Sequence, residues 1–428
     1  MVHTFAGFRR ADRTRASVII PLFLGAHRGR FSVPLAIRKS LATYCALRIN
    51  TVPDGRSSIW EVSMGSIRKK AGLILAAALL VFPAVVAAPA GAQEIGAVYT
   101  MTNSPVENEI LVFNRASDGT LSFDASYSTG GMGTGTGLGN QNGVVLTESG
   151  RFLLAVNAGS DEISSFRVTA GGLELADVDA SNGDHPISVT ARSGVVYVLH
   201  DGSGGNVTGF RLSSDGSLEA IPDSTQPLPG SGPAQIQFAP REQFLVVTEK
   251  DSNTISVFPV VRGRAQPGTS HASAGQTPFG FAFDNHGRLI VSEAFGGAPD
   301  ASAASSYDFA GGTPEVISAS VPTTETAACW VVVTKNGRYA YTTNTGSASI
   351  TGFEIGSGGE LTRLDEDGVT ATTGATPIDM ALTGNDRFLY SLDSGVPQIS
   401  GFAVSSDGSL TSIGAVALPG SANGLAAR

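Results

Sequence analysis

An acid and a base stand next to each other at Glu249 and Lys250. A carboxylate there can activate water or position an acyl group, and an ammonium can hold and polarise a carboxylate-bearing or lactone substrate. Neighbours along a strand point to opposite faces, so only one of the two reaches a given surface. His185, followed by Pro186, is a second candidate base, although a lone His serves equally well as a hydrogen-bonded structural residue. Gln235, Lys250, Glu293, Trp330, Asn344 and Asp379 form the candidate substrate-binding set, with Glu249 and His185 as the catalytic pair. Against each carboxylate and amide stands a plainer reading, that tight loops favour Asn, Asp and Glu and that channel water satisfies them.

Several chemistries find no support in the residue pattern. His200, His271 and His286 have no ligand-like spacing, so no metal residue is assigned and no cofactor is required. An all-oxygen Ca²⁺ site stays open without a motif behind it. Cys329, beside Trp330, reads as a small buried residue rather than a nucleophile. There is no G-x-S-x-G elbow, and the run GMGTGTGLG at 131–139 opens no helix that could cradle a phosphate.

Such residues need a scaffold that brings distant segments together, and a repeat provides one. An aromatic residue followed five or six positions later by a turn glycine recurs seven times: Phe113/Gly119, Phe166/Gly172, Phe210/Gly216, Phe258/Gly263, Tyr307/Gly312, Phe353/Gly359 and Phe402/Gly408. The spacing is about 48 residues, the length of a four-stranded propeller blade. Runs such as FLLAVN, FLVVTE and YAYTTN are apolar on both faces, as strands sandwiched between sheets must be. Asp-Gly at 118, 215 and 407 supplies hairpin turns. The fold expected is therefore an all-β, seven-bladed β-propeller of four-stranded antiparallel blades. The segment SANGLAA near the C-terminus matches the first strand of other units, whereas Gly96–Thr100 matches a second strand. The ring should thus close by pairing of the C-terminal strand with the N-terminal strands, leaving no open edge.

In such a ring, starts of first strands and ends of second strands meet around one channel mouth. The first set is Asn142, His185, Gln235, Phe279, Trp330, Asp379 and Asn423; the second is Asn103, Asn157, Asp201, Glu249, Lys250, Glu293, Asn344 and Asp393. They predict a funnel lined with amides and carboxylates.

The N-terminal portion differs in character. Arg68, Lys69 and Lys70 precede an apolar stretch from Ala71 to Ala88 and the small-residue pattern Ala90-Gly91-Ala92, as in a secretory signal. The domains expected are 1–63, a mis-called upstream or disordered segment; 64–92, a signal peptide; and 93–428, the propeller. The expected product is secreted or extracytoplasmic, with no stable membrane insertion after cleavage, and a monomer. It carries 15 basic against 34 acidic groups, a formal charge of −19. That surface repels phosphate backbones, so nucleic acid is excluded and a small-molecule ligand is the partner expected. Cys329 would be its sole cysteine, so packing rather than a disulfide must hold it.

The repeat resembles the seven-bladed propeller lactonases, including bacterial 6-phosphogluconolactonase and the fungal carboxy-muconate lactonizing enzymes. The similarity covers nearly all of 95–428, through GR-[FYL]-L-x-V-x-N-like second strands, I-x-x-F third strands and D-G-x-L turns. Its sharpest stretch runs from Gly232-Pro233 through Phe238-Ala239-Pro240 to Glu249, Thr254, Ile255, Val257 and Phe258. The family pattern there is G-P-R-H, F-x-P, then E-L-x-x-T-V-x-V-[FY]. Ala234 and Gln235 stand where the family's Arg and His would bind and polarise the lactone, and Glu249 alone remains of that constellation. Either Lys250 and His185 substitute, or the substrate differs, or catalysis is absent. The resemblance implies a lactonase-like hydrolase acting on a sugar- or muconate-type lactone, with Lys250, Gln235 and Asn344 holding substrate oxygens. The alternative is a non-catalytic propeller binding a ligand, cation or protein.

Overall fold

The computed structural model describes residues 94–428, apart from Glu242, Pro419 and Ser421. All of these fall in the second of two compact units, Ala84–Arg428. The proposed upstream segment and signal peptide lie outside the described residues. Among the described residues no helix is long and apolar enough to cross a membrane.

Seven antiparallel sheets follow one another along the chain, six of them built outward from the centre in sequence order. Blade 3 shows the plan: an inner strand Pro186–Arg192, a second strand Val195–His200, a third strand Asn206–Leu212, and outer pieces Leu218–Ala220 and Gln226–Pro227. Blade 4 repeats it with Pro233–Phe238, Phe244–Glu249, Thr254–Val261 and short outer strands. The ring closes as the repeat phase requires. The C-terminal Asn423–Ala427 is the inner strand of blade 1 and pairs Tyr99 with Ala426 and Thr100 with Leu425. Both free edges of an open stack are thereby removed.

The aromatic–glycine repeat has a packing cause. The seven third-strand aromatics are all at most 1% exposed and fill the spaces between blades. Burial of each contributes about 1.5–3 kcal/mol. The partnered turn glycines have positive φ and also meet the preceding blade edge-on. A Cβ on Gly119 would lie 2.3 Å from Phe388, one on Gly216 2.9 Å from Phe152, and one on Gly312 2.3 Å from Phe244. At these three positions the glycine permits both the turn and the seating of a second-strand aromatic from the neighbouring blade.

Candidate functional site

At the mouth, blades 3 to 7 share one local geometry. The residue before each inner strand is left-handed: His185, Gly232, Thr277, Ala327 and Thr376 have φ of 58°, 66°, 55°, 59° and 56°. Its carbonyl accepts the N–H of the residue just past the second strand, namely Asp201, Lys250, Ala294, Thr345 and Ser394 respectively, at 2.7–3.2 Å. Equivalent backbone thus presents two side chains per blade at the same place. Three of the five pairs are Thr/Ala, Ala/Thr and Thr/Ser. Only blades 3 and 4, which are adjacent, place ionisable groups there: His185 with Asp201, and Lys250 opposite glycine.

His185 and Asp201 are in contact, Nδ1 to Oδ1 at 2.6 Å, with each side chain about one third exposed. The Asp201 hydrogen bond is the main reason the imidazole pKa rises above its ordinary value, with Asp161 and Asp184 adding to it and partial burial opposing. Asp161 also accepts the His185 backbone N–H at 2.7 Å, which fixes the strained residue in place. No described residue hydrogen-bonds to Nε2, so the dyad presents a nitrogen with its other side anchored. The Lys250 ammonium donates to the carbonyls of Gly139 at 2.6 Å and Pro233 at 2.8 Å and sits 4.9 Å from the centre of the Phe279 ring. An ammonium has three donors, so one is left over from these two bonds. Burial lowers the Lys250 pKa, while Asp201 and Asp251 hold it up. Asp201 therefore acts on both cationic groups.

The other six candidates are enclosed. Glu249 is fully buried, and its carboxylate turns into its own blade, accepting from Thr254 and Ser256 hydroxyls at 2.8 Å and from the Gly230 N–H at 3.2 Å. Glu293 does the same with Ser305, Ser320 and Gly275, and the Asn344 amide donates to Ser349 and Thr351. These three, with Asn157 on Ser164 and Asp393 on Ser400, form a latch between second and third strands repeated from blade to blade. Desolvation raises the pKa of Glu249 and Glu293 despite their donors. The expected water-activating carboxylate of Glu249 is thus turned away from the mouth, as strand alternation allows when Lys250 takes the outer position.

Gln235 is 1% exposed and clasps the next inner strand, its amide donating to Phe281 O at 2.8 Å and accepting Phe281 N–H at 2.7 Å. Asp379 is buried within the ring, its carboxyl taking the N–H of Met380 at 2.7 Å, and desolvation pushes its pKa well above its ordinary value. Trp330 stacks at 5.0 Å on Phe279 and gives its indole N–H to Asn140 O at 2.7 Å. Cys329 is buried and its thiol is pushed up to about 12.

Asn140 and Gln141 belong to a segment whose role the sequence did not reveal. The glycine-rich run at 131–139 leads into the channel, where blade 2 keeps only Val144–Leu146 as its inner strand. Gln141 N–H bonds Ala234 O at 3.1 Å, its amide bonds both backbone groups of Val331, and its carbonyl accepts from Ser188 at 2.6 Å. Blades 3, 4 and 6 are thereby tied across the centre. Gly280 of blade 5 completes the fit, since a Cβ there would lie 2.2 Å from Gln141 Oε1. Ala234 and Gln235, at the positions of the family's Arg and His, lie beneath this plug. Outside the plug, His185 and Lys250 are partly exposed and Asp201 is exposed.

The signal that would have paired Asp201 with His185 was available in the hairpin register. Pro186 pairs with His200, so the residue before one must face the residue after the other. Among the described residues no cluster of three or more His, Cys, Asp and Glu could hold a metal ion, and the amide-rich plug offers no carboxylate set for Ca²⁺.

Fold and repeat define a seven-bladed β-propeller. The chain belongs to the lactonase family of seven-bladed β-propellers, whose sequence profile matches residues 142–294 and 310–422. No curated protein matches it. Among solved structures it is similar to a Bacteroides fragilis protein provisionally named a 6-phosphogluconolactonase, with 16% identity, TM-score 0.61, and coverage of 78% of this chain and 98% of that one. It is also similar to the periplasmic gluconolactonase PpgL of Pseudomonas aeruginosa, with 15% identity, TM-score 0.58, and coverage of 78% and 98%. At these identities the likeness is one of fold.

Proposed function

We propose that the protein is a lactone hydrolase whose reaction takes place on the blade 3–blade 4 side of the mouth. The observation that carries this reading is internal to the chain: of five blades with one mouth geometry, only these two place ionisable groups in it, and those groups are a His–Asp dyad and a lysine. In the neutral dyad, Nε2 of His185 takes a proton from water as the water attacks the lactone carbonyl. Asp201 holds the ring through Nδ1 and stabilises the imidazolium that forms. The remaining Lys250 donor faces the carbonyl oxygen as it gains charge. Ring opening then expels the alkoxide, which takes the proton back from Nε2 and leaves a hydroxy acid. Family membership supports the reaction class, and the replacement of the family's Arg/His pair by Ala234/Gln235 fits a catalytic centre moved to the neighbouring positions.

The test is hydrolysis of a panel of aldono- and muconolactones, followed by pH-stat or a pH indicator to separate enzymatic from spontaneous opening. His185→Gln is expected to lower kcat by about 10²–10⁴, the usual contribution of a general base. Lys250→Met should reduce kcat/KM, and both variants should keep the wild-type fold by circular dichroism. Full turnover in folded His185→Gln would remove the dyad from the mechanism.

A further inference from the structure

The charge around the dyad discriminates between the substrate classes that the fold leaves open. Four carboxylates from different loops surround His185 and Lys250. Asp201 is paired with His185, Asp161 receives the His185 N–H, Asp184 accepts from Ser203 at 2.7 Å, and Asp251 lies so close to the entry to blade 4's inner strand that a Cβ on Gly232 would be 2.5 Å from its carboxyl. Asp161, Asp184, Asp201 and Asp251 are all exposed at the surface. Among the described residues none of Asp161, Asp184 and Asp251 has a Lys or Arg ion pair. Lys250, the one cation set among them, already spends two donors on backbone carbonyls. A site built for a phosphate or carboxylate tail gathers arginines in bidentate geometry. This one surrounds its entrance with negative charge.

Resting on the hydrolase reading, we infer that the site takes an uncharged polyol lactone and rejects phosphorylated and carboxylated ones. Coulomb's law across roughly 8 Å of solvent makes each unpaired carboxylate cost a monoanion roughly twofold in affinity at low salt, and a dianion roughly fivefold. Three such groups, partly offset by Lys250, leave a net discrimination of at least about tenfold against a phosphomonoester. The effect is carried by exposed charges, so salt must erase it.

The experiment compares glucono-1,5-lactone with its 6-phosphate at about 20 mM and about 500 mM ionic strength, in the wild-type protein and in the double variant Asp184→Asn/Asp251→Asn. Binding is measured separately by calorimetry with the two corresponding lactams, which do not ring-open. The result expected is a kcat/KM ratio of at least about ten in favour of the uncharged lactone at low salt, falling several-fold in high salt and in the double variant. Turnover of the uncharged substrate should change far less than that of its phosphate in that variant. Tighter binding of the uncharged lactam with no lactone turnover would sink the hydrolase reading and leave the charge selectivity standing. Equal or faster turnover of the phosphate at low salt, or binding of the phosphorylated lactam alone or of neither, would overturn the selectivity.

Discussion

His200 supplies the sharpest prediction because its position can be compared with its counterparts. It ends the second strand of blade 3, where blades 2 and 6 carry Asn157 and Asn344 in the latch between strands. It is fully buried and neither ring nitrogen has a hydrogen-bond partner. Burial lowers its pKa from 6.5 to about 4; Asn206 lies near enough to oppose the shift but not in hydrogen-bond geometry. The unfolded chain therefore takes up this proton first as pH falls. The stability that the neutral ring confers is complete above about pH 6.5 and drains away down to about pH 4. At about 1.4 kcal/mol per pH unit the full loss is on the order of 3 kcal/mol, most of it gone by pH 4.5. The buried carboxylates Glu249, Glu293 and Asp393, with raised pKa values, act in the opposite sense: their contribution falls as pH rises through the folded pKa. The measurement must accordingly be a difference. Urea unfolding of wild type and His200→Asn at pH 7.5, 6.0, 5.0 and 4.5 should give curves whose separation shifts in the variant's favour by roughly 2–3 kcal/mol across that range. A separation constant with pH, or an NMR titration of His200 near 6.5, would refute the argument. The consequence reaches the site, since Gly183 packs against the His200 ring and the same loop carries His185.

Three further outcomes follow from the same geometry. Asp201→Asn should lower the pKa read from the acid limb of the kcat/KM profile, because the hydrogen bond that raises the His185 pKa is lost; an unmoved limb would mean that another group titrates. Glu249→Gln should keep kcat/KM within about threefold while making stability less dependent on pH, because it removes a carboxylate that burial disfavours; loss of turnover with unchanged stability would restore Glu249 to the chemistry. Gly312→Ala should destabilise by about 1–3 kcal/mol in urea titrations, as a small-to-large change at a positive φ pressed against Phe244, and a neutral result would show that the blade seam yields.

The fold was legible because its determinants are local and repeated. Each blade needs one inter-blade aromatic and one turn glycine, and a sevenfold spacing survives wherever individual strands are ambiguous. Closure was legible for the same reason, as the phase of the repeat left the last unit one strand long and the first one strand short. The site was only partly legible. Propeller topology placed His185 and Lys250 at the mouth, but whether a side chain near a strand end faces channel, blade or solvent depends on a bulge. In blade 4 Pro233 pairs with Glu249 while Gln235 pairs with Thr248, so one extra residue decides that Gln235 reaches across to Phe281. Alternation then turns Glu249 inward and Lys250 outward, a choice the adjacency of the two charges could not reveal.

The plug was illegible for a different reason. Nothing in GMGTGTGLG specifies a destination, and the residues that follow it are held by groups supplied by blades far away in sequence, as in the bond from the Trp330 indole N–H to the Asn140 carbonyl. Its glycines nevertheless bear on where the proposed chemistry sits. A chain must pass beside Asn103, whose backbone would lie 2.2 Å from a Cβ on Gly133, before its amides enter the ring. Once Gln141 occupies the axis and Ala234 is covered, a catalytic pair on the inner strand would be sealed from substrate. In the proposed reaction the groups that meet the ligand are those one step further out, on the left-handed residue before the strand and on the turn that hydrogen-bonds to it: His185, Asp201 and Lys250.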